Sequence, residues 1–131
     1  MYSLKINQPY LLFFFIINLV GLVGCGSSNG LEEDLTITIS AMSFSPTALN
    51  ALAGDTITVI NDDTTTHTVT SESSPSLFDN SGTFDTGNIS PSGTTTFRIP
   101  DSATLGTIYY FYCNQHKSLM STPNGTITIQ N

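Results

Sequence analysis

The chain has 131 residues, enough for one domain, and its ten acidic and three basic residues give a formal charge of −7. Charged residues make up only 10% of the chain, well below the roughly 25% of an average soluble protein, and serine and threonine take their place. Because no basic stripe is available to meet phosphates, nucleic acid is excluded as a partner, and any partner recognised by charge must present a cationic protein surface.

The first 24 residues are predicted to be a signal peptide. Lys5 precedes an apolar run over Tyr10–Val23, and the run ends in Leu22-Val23-Gly24-Cys25. A basic start, an apolar stretch and a small residue before the cut are the parts of a secretory signal. The ending resembles the lipobox of bacterial lipoproteins, which implies that Cys25 is lipidated and becomes the first mature residue. The alternative is an uncleaved membrane anchor, since the run is close to the length of a membrane span.

Both alternatives export the rest of the chain, to the periplasmic or cell-surface side of a membrane. Residues 25–34 are predicted to be a flexible linker, because Gly26–Gly30 is rich in glycine and serine. With Cys25 assigned to the lipid, Cys113 is the other cysteine of an exported chain, where thiols are usually paired. It is therefore buried and inert, intermolecular, or bound to a metal.

From residue 35 to residue 131 the pattern predicts a single all-β domain. Apolar and polar residues alternate with a period of two, which is typical of strands with one buried face. Clusters of Gly, Pro, Asn and Asp separate the segments. The predicted strands cover Leu35–Ile39, Thr56–Ile60, His67–Ser71, Thr94–Ile99, Thr107–Cys113 and Thr126–Ile129. Many short strands at this spacing indicate an antiparallel sandwich or barrel.

The candidate functional residues begin where the fifth predicted strand ends. Cys113 is followed by His116 after three residues and by Met120 after four more. Thiolate and imidazole are ligands that copper favours, and two histidines, one cysteine and a long axial methionine form the blue-copper arrangement. The second histidine is His67, which follows a polar turn. A lone histidine at such a position more often faces solvent than binds a metal, but this expectation reverses because the other histidine follows an unpaired cysteine by three residues.

With these residues the chain resembles the cupredoxin family, in its plastocyanin-like type 1 (blue) copper branch. The resemblance covers about Leu35–Ile129 and includes Phe44-Ser45-Pro46, Gly54-Asp55 and Phe84-Asp85-Thr86-Gly87. It implies a Greek-key β-sandwich that binds one copper ion, alternating between Cu(I) and Cu(II). It also implies that His67, Cys113, His116 and Met120 occupy the four ligand positions.

The axial ligand is where the chain departs from the family pattern. Three residues separate His116 from Met120, and four more separate Met120 from Gly125. Met120 is still the predicted axial ligand, because Met1 lies in the signal peptide and Met42 is expected to fill core space. Gln115 or an open axial position is the alternative.

The predicted function is electron transfer, not catalysis. A metal enclosed by four side chains has no vacancy for a substrate, and no catalytic triad, phosphate loop or carboxylate pair is present. We expect a monomer that exchanges electrons with redox partner proteins and meets the membrane through its lipid. The alternatives are a copper-delivery lipoprotein and a metal-free adhesive sandwich. Zinc is also compatible with the same ligands.

Residues next to the ligands carry secondary predictions. Thr68 and Asn114 directly follow ligands and are expected to hydrogen-bond across the site. Strand alternation places Tyr112 on the outward face beside Cys113, where it is either a second electron route, as the resemblance suggests, or simply cover for the sheet. The acidic residues Asp62, Asp63, Glu72, Asp79 and Asp85 form either a docking patch or a dispersed solvated surface.

Overall fold

The computed structural model describes residues 34–131. The predicted signal peptide over residues 1–24, the lipidation site Cys25 and the predicted linker before Asp34 lie outside the described residues. Within this part of the chain the strands are β1 Thr36–Ser40, β2 Ser43–Ser45, β3 Ala48–Ala51, β4 Thr56–Asn61, β5 Thr70–Glu72, β6 Thr94–Arg98, β7 Ile108–Tyr112 and β8 Asn124–Ile129. Lys117–Leu119 forms a 3₁₀ turn, and no helix among these residues is long and apolar enough to cross a membrane.

The strands form two four-stranded sheets. The first has the order β2-β1-β4-β6 and the second the order β3-β8-β7-β5. Most pairs are antiparallel, but β1 runs parallel to β4 and β3 runs parallel to β8. Parallel neighbours arise because the chain passes from one sheet to the other between β2 and β3 and again between β3 and β4. The predicted all-β architecture is confirmed, and its strictly antiparallel form is corrected.

Alternation along the strands produces the core between the sheets. In β1 and β4 the apolar residues Ile37, Ile39, Ile57 and Val59 are fully buried, while the threonines between them lie at partly exposed or exposed positions. Full burial of each such side chain contributes about 1.5–3 kcal/mol. The inward residues of β7 and β8 belong to the same buried cluster, so one core joins both sheets.

One predicted strand is displaced toward the C-terminus. The structure has Thr70–Glu72 in place of His67–Ser71, and His67 forms only a single bridge with Ile89. The reason is local: the Thr68 N–H donates to the Cys113 Sγ and is therefore not available for the hydrogen bonds of a strand. His67 therefore lies in the loop that leads into the second sheet.

Candidate metal centre

Three of the four predicted ligands bring their donor atoms together. The Cys113 Sγ lies 3.5 Å from the Nδ1 of His67 and 3.5 Å from the Nδ1 of His116. The two Nδ1 atoms are 3.2 Å apart, and the rings are tilted by 50°. Among the described residues this is the group of His, Cys, Asp or Glu side chains whose spacing suits a metal ion.

The triangle of donor atoms has the size that a single ion requires. The point equidistant from the three atoms lies about 2.0 Å from each, close to the roughly 2.0–2.3 Å of metal bonds to imidazole and thiolate. All three atoms must be free of protons to ligate, since a metal binds the thiolate of a cysteine and the unprotonated nitrogen of a neutral imidazole. A copper ion, which favours one thiolate and two imidazoles, fits this set.

The cysteine is held by the segment that carries the other ligand. Cys113 is fully buried, and its Sγ accepts the Thr68 N–H at 3.4 Å. In return the Asn114 N–H donates to the Thr68 Oγ1 at 2.8 Å. The predicted hydrogen bonding of Thr68 and Asn114 across the site is confirmed. These two bonds join the end of β7 to the loop of His67, so the two ligands are positioned together.

His67 is fully buried, and both of its ring nitrogens have neighbours. While Nδ1 faces the other donors, Nε2 lies 3.2 Å from the Asp63 Oδ2 and 3.0 Å from the Thr65 Oγ1. Burial lowers the pKa of His67 below its ordinary value, and Asp63 acts in the opposite direction. The imidazole is thereby kept neutral, which is the form that binds a metal.

The loop from Cys113 to Met120 is compact, and Met120 is buried at its end. The Cys113 carbonyl accepts the N–H groups of His116 and Lys117, at 3.2 and 2.7 Å, and the 3₁₀ turn Lys117–Leu119 follows. This turn takes up the three residues that make the His116–Met120 spacing unusual. Met120 is only 3% exposed and lies in the buried cluster that contains Cys113.

Gln115, the alternative axial ligand, points elsewhere. It is exposed, and its Nε2 donates to the Asn88 Oδ1 at 2.6 Å. A side chain engaged at the surface has to leave this bond before it can approach the donor triangle. The burial of Met120 and the exposure of Gln115 therefore both favour the thioether as the fourth donor.

Tyr112 lies outside the core cluster that contains Phe111 and Cys113, as strand alternation predicts, but it is buried on that other face. It is 1% exposed, and the half-buried Phe78 packs edge-on against it with the ring centroids 5.7 Å apart. The loop after β5 is held over this face by Glu72, whose carboxylate accepts the Phe78 N–H at 2.9 Å. Burial, followed by the charge of Glu72, raises the pKa of Tyr112 above its ordinary value. Strand alternation predicts the face on which Tyr112 lies, but it says nothing about a loop that folds over that face.

The five acidic residues do not form one surface patch. Glu72 is 4% exposed and serves the loop described above, and Asp63 contacts His67. Asp62, Asp79 and Asp85 remain exposed. The role of Asp63 could not be identified from the sequence, because Asp62 and Asp63 are adjacent and nothing in the pattern says which one faces the imidazole.

Comparison with known proteins agrees with this geometry. Residues 31–130 match the family of copper binding proteins described as the plastocyanin/azurin family. Comparison with curated protein sequences returns no match. Among solved structures, a purple cupredoxin from Nitrosopumilus maritimus is similar with a TM-score of 0.57 and 20% identity, over 72% of this chain and 98% of that one.

Two further solved structures share the fold. The auracyanin of Roseiflexus castenholzii has a TM-score of 0.55 and 17% identity over 76% of this chain and 99% of its own. The plastocyanin of Dryopteris crassirhizoma has a TM-score of 0.53 and 19% identity over 72% and 99%. The predicted cupredoxin-like Greek-key sandwich is confirmed.

Proposed function

The chain belongs to the plastocyanin/azurin family of copper-binding proteins, and on that premise we propose that it is an exported electron carrier with one type 1 copper site. The observation that carries the proposal is the convergence of one Cys Sγ and two His Nδ1 atoms, 3.2 to 3.5 Å apart, with the cysteine and one of the histidines fully buried. When bound, copper supplies a one-electron couple between Cu(II) and Cu(I).

In this proposal the four ligands are His67, Cys113, His116 and Met120. The protein holds the donors in place through the backbone bonds of the ligand loop and the two bonds between Thr68 and the Cys113–Asn114 segment. Donors that are fixed before the ion binds move little when its charge changes. A site of this kind favours electron transfer over chemistry on a substrate, which requires an open ligand position.

The route for electrons is proposed to pass through His116. Of the four ligand residues it alone is partly exposed, while the others are 3% exposed or less. The adjacent Leu119 is 75% exposed. A redox partner that docks on this face approaches the metal more closely than from any buried side. On the opposite side of Cys113, Phe78 covers Tyr112 and hinders a second route there.

The proposal is tested by redox cycling of the full-length protein. Loaded with Cu(II), it should be intensely coloured through thiolate-to-copper charge transfer, and should bleach and recover over repeated reduction and oxidation without losing copper. The zinc-loaded protein is the control and should be colourless and redox-inert. Release of copper to a chelator in each cycle would support copper delivery instead, and failure to bind copper would contradict the metal site.

Met120→Leu tests the axial ligand. The variant should keep copper and colour but raise the reduction potential, because removal of a weak donor favours Cu(I). A tenfold loss of Cu(II) affinity relative to Cu(I) corresponds to about 59 mV. Ile57→Leu, a change of similar size at a fully buried position of β4, a strand that carries no ligand, is the control in voltammetry. If Met120→Leu leaves the potential unchanged while Gln115→Ala shifts it, Gln115 is the axial ligand.

We also propose that the domain is a monomer held at the periplasmic or cell-surface side of a membrane by a lipid on Cys25. Support comes from the sequence Leu22-Val23-Gly24-Cys25 after an apolar run. Cys25→Ser should release the protein from the membrane fraction or block its processing, as followed by fractionation and mass spectrometry. A variant that is cleaved and partitions like the wild type would contradict the lipid anchor.

A further inference from the structure

The side of His67 that faces away from the donor triangle is occupied by a carboxylate. A metal ligand must use an unprotonated Nδ1, so the proton of the neutral ring lies on Nε2. That nitrogen is 3.2 Å from the Asp63 Oδ2 and 3.0 Å from the Thr65 Oγ1. The hydroxyl of Thr65 can donate or accept a hydrogen bond, whereas an ionised carboxylate can only accept one. The carboxylate can accept the proton's hydrogen bond, which selects the tautomer that leaves Nδ1 free for a metal.

Asp63 is itself held by the surrounding backbone. Its Oδ2 accepts the Met42 N–H at 2.8 Å, and its Oδ1 accepts the Thr64 N–H at 2.7 Å. These two bonds lower the pKa of Asp63 below its ordinary value. Its own N–H donates to the side chain of Asn61, which is fully buried and donates in turn to the carbonyls of Thr65 and Ile89.

The Met42 N–H is aimed at Asp63 by a turn in a costly conformation. Ala41 and Met42 connect β1 to β2 with φ values of 47° and 58°, in the left-handed region. Such a conformation is unfavourable for a non-glycine residue and persists only where other contacts compensate. The Met42 carbonyl also accepts the Ser121 N–H at 2.7 Å, next to Met120. One turn therefore contacts both ligand loops.

We propose that Asp63 is a positioning residue of the metal centre, which orients the His67 imidazole and strengthens its Nδ1 as a donor. This inference rests on the proposed copper site. A carboxylate that accepts a hydrogen bond from the Nε2–H makes the other ring nitrogen, Nδ1, more basic. The stronger donor, together with the negative charge, stabilises Cu(II) more than Cu(I).

The experiment compares Asp63→Asn with Asp62→Asn in the full-length protein. The two variants remove the same charge from adjacent residues, but Asp62 is exposed and has no contact with His67 among the described hydrogen bonds. Asp63→Asn should lower Cu(II) affinity about 10–100-fold with a smaller loss for Cu(I). The reduction potential should rise by about 59 mV for each tenfold difference between the two losses. Asp62→Asn should change neither quantity.

Further variants distinguish a role of Asp63 in positioning His67 from a role in stabilising the fold alone. Asp63→Glu, which keeps the carboxylate, should restore part of the potential. Asp63→Ser is the second neutral variant and carries the same expectation where Asp63→Asn does not fold. Equal losses for Cu(I) and Cu(II), or a potential equal to that of Asp62→Asn, would overturn the role of Asp63 while leaving the copper site intact. Absence of copper binding in the wild type would overturn both proposals.

Discussion

Cys113→Ser is expected to abolish the intense colour of the Cu(II)-loaded protein and to weaken Cu(II) binding by more than about 100-fold. The colour arises from a short bond between copper and a thiolate, and a serine hydroxyl neither ionises near neutral pH nor forms such a bond. Loss of an outer partner of a ligand costs roughly 10–100-fold in affinity, so loss of a ligand must cost more. Absorption spectra and competition with a chelator measure both effects.

Cys25→Ser is the matched control for this experiment, since Cys25 is the other cysteine of the chain. In detergent-solubilised protein it should leave the colour and the affinity unchanged. A circular-dichroism spectrum of the metal-free Cys113→Ser protein should match that of the wild type, because the replacement is similar in size. Colour that survives in Cys113→Ser would show that the thiolate is not a ligand and would overturn the type 1 site.

Gly125→Ala is expected to have the largest effect on stability, a loss of about 1–3 kcal/mol or more. Gly125 lies opposite Phe111 in the β7–β8 ladder, and a Cβ at this position would lie 2.1 Å from the Phe111 Cζ. The ring cannot easily move aside, because it is fully buried and packs edge-on against Phe44 at 5.1 Å. The strands must then separate or the ring must leave its place.

Denaturant unfolding of the metal-free protein measures this loss, and for a domain of this size each kcal/mol corresponds to a fall in Tm of about 4–8 °C. Thr128→Ala is the control, since Thr128 lies on the same strand at a partly exposed position. Thr128→Ala should lower the free energy of unfolding by no more than about 1 kcal/mol, which is the span of strand propensities. Equal stabilities of Gly125→Ala and Thr128→Ala would contradict the described packing of Phe111.

Much of the fold could be predicted because burial on one face of a strand imposes a period of two on the residues. The segments that became β1, β4, β6, β7 and β8 all follow this period, and the structure confirms them to within a few residues. The period of two did not reveal β2 and β3, since three or four residues are too few to establish it. The start of β5 was misplaced because a backbone N–H that a strand would use is bonded to the Cys113 Sγ.

The ligand residues of the candidate metal centre could be predicted from the sequence, because the type of a residue decides which metal its side chain can bind. An unpaired cysteine followed by a histidine, with one other histidine in the chain, left few ways to build a soft-metal site, and the structure brings these three residues together. The side chains that surround the ligands could not be predicted in this way. The sequence does not say which of two adjacent aspartates faces His67, or whether a loop covers Tyr112. Both depend on contacts between segments that are far apart in the chain, and a local pattern of residues does not constrain such contacts.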